Sequence, residues 1–186
     1  MRIISGSLKG RKINFYKSLK TRPLKDSVKE NIFNILKHSN LINIEIENSN
    51  VLDLYSGCGS FGIESLSRGA KKVTFIDQDL KASNILKENL VKLSLIDKSK
   101  IFIDSIEDVL IGKIKEKFNI FFFDPPFIDF NFLNNLKFIK KKKFFDSSHI
   151  VIIHRERETE DDFRDIIKII ETKQYGRSKI LYGIFN

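Results

Sequence analysis

The chain has 186 residues, 41% of them hydrophobic, with one cysteine, three histidines and a formal net charge of +9. That length suits a single domain with a sizeable core. No run approaches the ~20 apolar residues of a membrane span and no signal-type apolar region follows Met1, which argues against membrane insertion and export. A lone Cys58 excludes an internal disulfide and leaves no zinc-type ligand set, so a metal-free protein of the reducing cytoplasm is expected, and nothing demands more than a monomer.

In chain order, RIISGSLKGRKINFY predicts a short hairpin about a Gly-Ser-Leu-Lys-Gly turn, and Thr21-Arg22-Pro23 leads toward a helix. DSVKENIFNILKH sets Val28, Ile32, Ile35 and Leu36 on one helical face, with Ser27 and Glu30 at capping-box spacing. A polar connection over 39–50 follows. From residue 51 strands and helices alternate: strand VLDLY, a glycine loop and helix in GCGSFGIESLSRGA, strand KVTFID and helix LKASNILKENLVKL. Then come strand KIFID, helix SIEDVLIGKIKEK, strand FNIFFFD, a helix near 130–140 and strand HIVIIH. DDFRDIIKII reads as a last helix, and KQYGRSKILYGIF as two strands about a Gly-Arg turn. Such alternation implies an α/β doubly wound, mainly parallel, Rossmann-like sheet closed by an antiparallel hairpin.

The charge is placed unevenly. Residues 1–38 hold ten lysines and arginines against Asp26 and Glu30, a net +8, while the remaining 148 residues carry 23 basic and 22 acidic side chains. This is the footprint of a polyanion binder, so 1–38 is expected to be a basic docking segment ahead of a second unit over 39–186.

Gly57, Gly59 and Gly62 form G-x-G-x-x-G after a strand and before a helix, with Asp77 ending the next strand. This spacing also satisfies the dinucleotide fingerprint, which makes an NAD-dependent oxidoreductase a competitor. Asp53 opposes it: a carboxylate beside the loop repels a pyrophosphate and favours a cationic ligand such as S-adenosylmethionine, whose ribose Asp77 could hold. Asp104 can then accept from an adenine amino group or, on the simpler reading, cap the following helix. Cys58 reads as a small residue in a tight loop.

The fourth strand runs into Asp124-Pro125-Pro126-Phe127. Neither proline can continue a ladder. The Asp124 carboxylate and the Pro125 carbonyl can together accept both N–H bonds of an exocyclic amine. That directs its lone pair at a methyl group and stabilises the charge that arrives on nitrogen. Phe127 offers a plate for an extruded base. The competing reading is a stiff turn.

DLYSGCGSFG resembles the donor motif of class I S-adenosylmethionine methyltransferases, and FFFDPPF the motif of those that methylate planar amino nitrogens. Taken with RIISGSLKGRKI, TRPLKDSVKENIFNIL and QYGRSKILY, the chain resembles bacterial 16S ribosomal RNA guanine-N2 methyltransferases of the RsmD type. The resemblance implies a donor site built from Asp53, Ser56, Gly57, Cys58, Gly59, Asp77, Gln78, Asp104 and Ser105. It implies a catalytic set of Asp124, Pro125, Pro126 and Phe127, and RNA contacts at Arg11, Lys12 and Arg22. The expected partner is 16S rRNA, free or within the small ribosomal subunit. His154 departs from the family pattern, which often has an acid there, and reads as structural. The rivals are an amino-methyltransferase acting on DNA adenine N6 or a protein glutamine amide, and an RNA-binding assembly factor with a vestigial donor site.

Overall fold

A computed structural model describes residues 1–15 and 24–186. Arg22, with the TRP motif, lies outside the described residues. Helices α1 (Asp26–His38), α2 (Ser60–Ser67), α3 (Leu80–Lys92), α4 (Ile106–Gly112) and α5 (Phe132–Lys142) alternate with strands β1 (Asn50–Leu54), β2 (Lys72–Ile76), β3 (Ser99–Phe102) and β4 (Phe118–Phe123). β5 (Phe145–Glu156), β6 (Ile167–Tyr175) and β7 (Ser178–Phe185) complete one sheet of order β3-β2-β1-β4-β5-β7-β6. The first five strands in that order are parallel; β7 runs antiparallel between β5 and β6. The order reverses between β1 and β4, which opens a crevice beyond their carboxyl ends.

Apolar strand runs follow from a sheet covered on both faces. Val51, Ile120 and Phe122 join one core with α1, α2 and α3; Leu52, Phe121 and Phe123 join the other with α4 and α5. The N-terminal segment belongs to the first core through Ile3, Ile13 and Leu24. Its hairpin is short, a single antiparallel bridge between Arg2 and Lys12. Side chains of α2 and α3 take over its backbone. Glu64 accepts from Ile4 N (2.7 Å) and Ser5 N (2.9 Å), and Asn89 exchanges two bonds with Asn14. Buried Lys29 reaches Arg2 O at 3.0 Å and lies 3.8 Å from buried Glu64. Burial lowers its pKa, and Glu64 opposes that. This lysine therefore leaves the basic surface on which the charge count placed it.

Three expectations need correction. Ser27 and Glu30 form no capping box, because α1 starts two residues earlier, behind Lys25, with no side-chain cap; Asp26 stands in its first turn instead. α4 stops at Gly112, the poorest helix former in its stretch short of proline, rather than running on to residue 117. DDFRDIIKII is not a helix: turns lead into β6 at Ile167. Phe163, Ile166, Ile167 and Ile170 do fall at helical spacing. The β-branched Ile167 and Ile169 nevertheless pair with β7 and face one core, while Ile170 sits at a break in the register and faces the other.

The far end of β5 carries a pH-sensitive contact. His149 Nδ1 donates to Asp146 O (2.8 Å) while Nε2 accepts from Phe185 N (3.0 Å), which requires a neutral ring. Burial lowers its pKa below the usual 6.5. The unfolded chain therefore binds the proton first, and stability present above about pH 6.5 is lost as pH falls through the lower folded value. The melting temperature should fall on acidification across that window. It should fall less for His149→Phe, which keeps the stacking with Phe145 and Phe185. Parallel profiles for the two proteins would refute the assignment.

Candidate active site at the carboxyl edge of the sheet

Parallel register carries four strand ends to one edge. Leu54 pairs with Ile76 and Phe123, and Phe123 with Ile153. The residues that follow, Tyr55, Asp77, Asp124 and His154, are consequently neighbours in space. Asp104 lies two residues beyond the end of β3 on the same side.

The glycine loop is built from below. Asp53, 1% exposed, accepts from Gly62 N at 2.9 Å, so a carboxylate from β1 satisfies a first-turn N–H of α2 that no cap residue reaches. A Cβ on Gly62 would sit 2.3 Å from the Phe75 ring, so only glycine lets α2 pack this close to β2. A Cβ on Gly57 would meet nothing within 4 Å, which leaves the loop open toward the crevice. Asp77 fastens that loop, accepting from Gly57 N (2.7 Å) and Asp79 N (2.8 Å). Ser56 Oγ is buried with no hydrogen-bond partner among the described residues.

Burial raises the pKa of Asp53 well above the ordinary carboxylate value, and Asp124 and Asp77 push it further the same way. Burial raises Asp77 too, against its backbone hydrogen bonds. Negative charge is thus costly here until a cation arrives. An unpartnered serine hydroxyl, an open glycine and a buried Asp53 opposed by Asp124 and Asp77 fit a ligand that brings positive charge and hydroxyl groups; they do not fit a pyrophosphate.

Asp104 is held by Ser105 N (2.8 Å) and Lys113 Nζ (2.7 Å); the lysine first, then the backbone N–H, lowers its pKa. It does not cap α4; Ser105 does, accepting from Asp108 N. Gln78 is exposed, and Cys58 contributes its carbonyl to Asn89. Arg11 and Lys12 are exposed on the bridge of the N-terminal segment.

Asp124 leaves β4 beside Leu54, with its N–H directed at Leu54 O. His154 Nδ1 lies 2.8 Å from Asp124 Oδ1, and the imidazole meets the Phe127 ring edge-to-face at 5.7 Å. Arg155, fully buried, donates to Pro126 O (3.2 Å) and Phe127 O (3.1 Å), while Asp161 binds its guanidinium through both oxygens. Pro125 O receives no hydrogen bond from the described residues. Arg155 thus engages the two carbonyls after Pro125 and leaves that of Pro125 for a ligand. Tyr55 has φ +58°, a left-handed conformation that is uncommon for an aromatic residue. Burial and Asp129 push its phenol pKa up, and Asn135 donates to its hydroxyl. Sequence reasoning missed Tyr55, Arg155 and Asp161, and gave His154 no partner.

The family model described as "Conserved hypothetical protein 95" matches residues 1–184. The chain is 39% identical over 129 residues to a Haemophilus influenzae protein named Ribosomal RNA small subunit methyltransferase D, covering 68% of this chain and 64% of that one. A protein of the same name from Buchnera aphidicola is 34% identical over 149 residues, covering 76% and 74%. A solved Escherichia coli chain, "Putative methyltransferase yhhF", superposes with a TM-score of 0.81 at 26% identity over 98% of this chain and 97% of that one. The doubly wound sheet with its closing hairpin is the class I methyltransferase fold.

Proposed function

The chain belongs to the Conserved hypothetical protein 95 family, and from that membership and the site geometry we propose that it methylates the exocyclic N2 of a guanine in 16S ribosomal RNA. The observation that carries the reading is Asp124-Pro125-Pro126-Phe127 at the end of β4, beside the open glycine loop of β1. Names of relatives support methylation of small-subunit rRNA. The choice of guanine N2 rests on the resemblance carried by the N-terminal motif pair.

Ser56, Gly57 and Asp77 would hold S-adenosylmethionine, and Asp53 favours its charge from beneath the loop. Bound there, this donor supplies an electrophilic methyl group. Asp124 and the Pro125 carbonyl accept the two N–H bonds of the target amine and draw its lone pair out of the ring. These two acceptors would stabilise the positive charge that arrives on the nitrogen, and its surplus proton would pass to bulk water. Phe127 stacks on the extruded base. Residues 1–38 dock on RNA phosphates, by a surface from which buried Lys29 is excluded.

Incubation of the protein with labelled donor and unmethylated 16S rRNA or small subunits should yield N2-methylguanosine on nucleoside analysis. N6-methyladenosine, or label in protein alone, would overturn the reading. Calorimetry should detect S-adenosylhomocysteine and not NADH. Replacing Arg11, Lys12 and Arg22 by serine should weaken RNA binding and flatten its dependence on salt. The log–log slope should drop by roughly 0.7 for each phosphate that is no longer neutralised. An unchanged slope would place docking on another surface.

A further inference from the structure

His154 Nδ1 lies 2.8 Å from Asp124 Oδ1. His154 is buried near the end of β5, and its imidazole meets Phe127 edge-to-face. One ring therefore touches both members of the tetrapeptide that act through side chains. A carboxylate only accepts, so the bond places the ring proton on Nδ1. Oδ1 is then engaged, and Asp124, the less buried partner of the pair, has Oδ2 left for an incoming N–H. The ring's edge contact also limits how the Phe127 plate can tilt.

We propose that His154 is a positioning residue for amine methylation: its Nδ1–H locks the Asp124 carboxylate and directs Oδ2 toward the substrate nitrogen. The inference rests on the function proposed above and deepens it. Backbone and side chain of the loop then have separate holders, since consecutive residues of β5 divide the work. Arg155 grips the carbonyls of Pro126 and Phe127, and His154 sets the carboxylate. A displacement of about 1 Å at such a group costs on the order of 100-fold in rate.

The test compares His154→Leu with His154→Asn, whose amide nitrogen can take the place of Nδ1–H. With the parental protein active, His154→Leu should lose about 100-fold in kcat with KM for RNA and donor affinity near parental, and His154→Asn should recover most of the rate. A His154→Leu protein with parental kcat overturns the inference alone, as does a His154→Asn protein no better than His154→Leu. Nitrogen-15 spectra of the parental protein supply a readout independent of turnover and of the variants' folding. They should show a proton on Nδ1 of His154, and a ring whose Nδ1 bears no proton overturns the proposal. A parental protein that methylates no RNA overturns the parent reading, and this one with it.

Discussion

Asp124→Ala should bind S-adenosylhomocysteine as the parent does and yet lose about 10²–10³-fold in kcat, the scale expected when one preorganised electrostatic partner of a transition state is removed. Donor affinity should hold because the glycine loop is fastened by Asp77 and Asp53, neither of which needs Asp124. Folding should be little affected. The hydrogen bond to His154 disappears, but so does the repulsion that Asp124 exerts on Asp53. Asp124→Asn is the sharper variant. Two donors, His154 Nδ1–H and the substrate N–H, converge on two oxygens, whereas an amide offers one acceptor and an N–H. Whichever way it turns, one donor is opposed, so turnover should drop well below the parent's without loss of donor binding. Turnover at the parental rate in Asp124→Ala would refute the catalytic assignment.

What the sequence disclosed and what it hid follow from the same physics. Buried parallel strands are short apolar runs, and turn chemistry marks their ends, so β1 to β5 and the glycine loop are legible. Asp77 and Asp124 are legible too, because a charge directly after four consecutive buried residues has few other reasons to exist. β6 is not legible. A strand facing two cores presents apolar residues on both sides, and its isoleucines imitate a helical stripe until the partner strand is known. N-terminal charge is legible as a composition but only partly as a surface, since Lys29 shares the helical face of Ile32, Phe33 and Leu36 and the Glu64 that receives it there stands far along the chain.

The catalytic tetrapeptide can be found by its residues, but its support cannot. His154 and Arg155 follow one another at the end of β5, and both serve a loop 30 residues earlier because parallel pairing brings Ile153 beside Phe123. Asp161 reaches Arg155 from a stretch whose spacing imitates a helix, so the misleading periodicity conceals the partner. The usable signal is an arginine placed where the strand is still buried. Such a cation is almost never left without an anion and hydrogen-bond acceptors.

Arg155 provides the second large effect. Its guanidinium and the Asp161 carboxylate are both fully buried, and hydrogen bonds to Asp161, Pro126 and Phe127 fill the planar fork. Arg155→Met strands the Asp161 charge in the interior, at a cost of about 3–5 kcal/mol. A chain of this size then loses roughly 6–20 °C in melting temperature. Arg155→Lys should fare little better, because an ammonium cannot span a bidentate carboxylate and two carbonyls at once. The informative protein is the double variant Arg155→Met with Asp161→Leu. Removing both charges should restore most of the stability, as replacing a buried ion pair by apolar side chains commonly does. Transfer should stay impaired, because the carbonyls of Pro126 and Phe127 still lack their donor and the loop that carries Asp124 and the Pro125 carbonyl is no longer gripped. Stability and rate would then part company in one molecule. A double variant that folds and turns over like the parent would show that the loop holds its shape without Arg155.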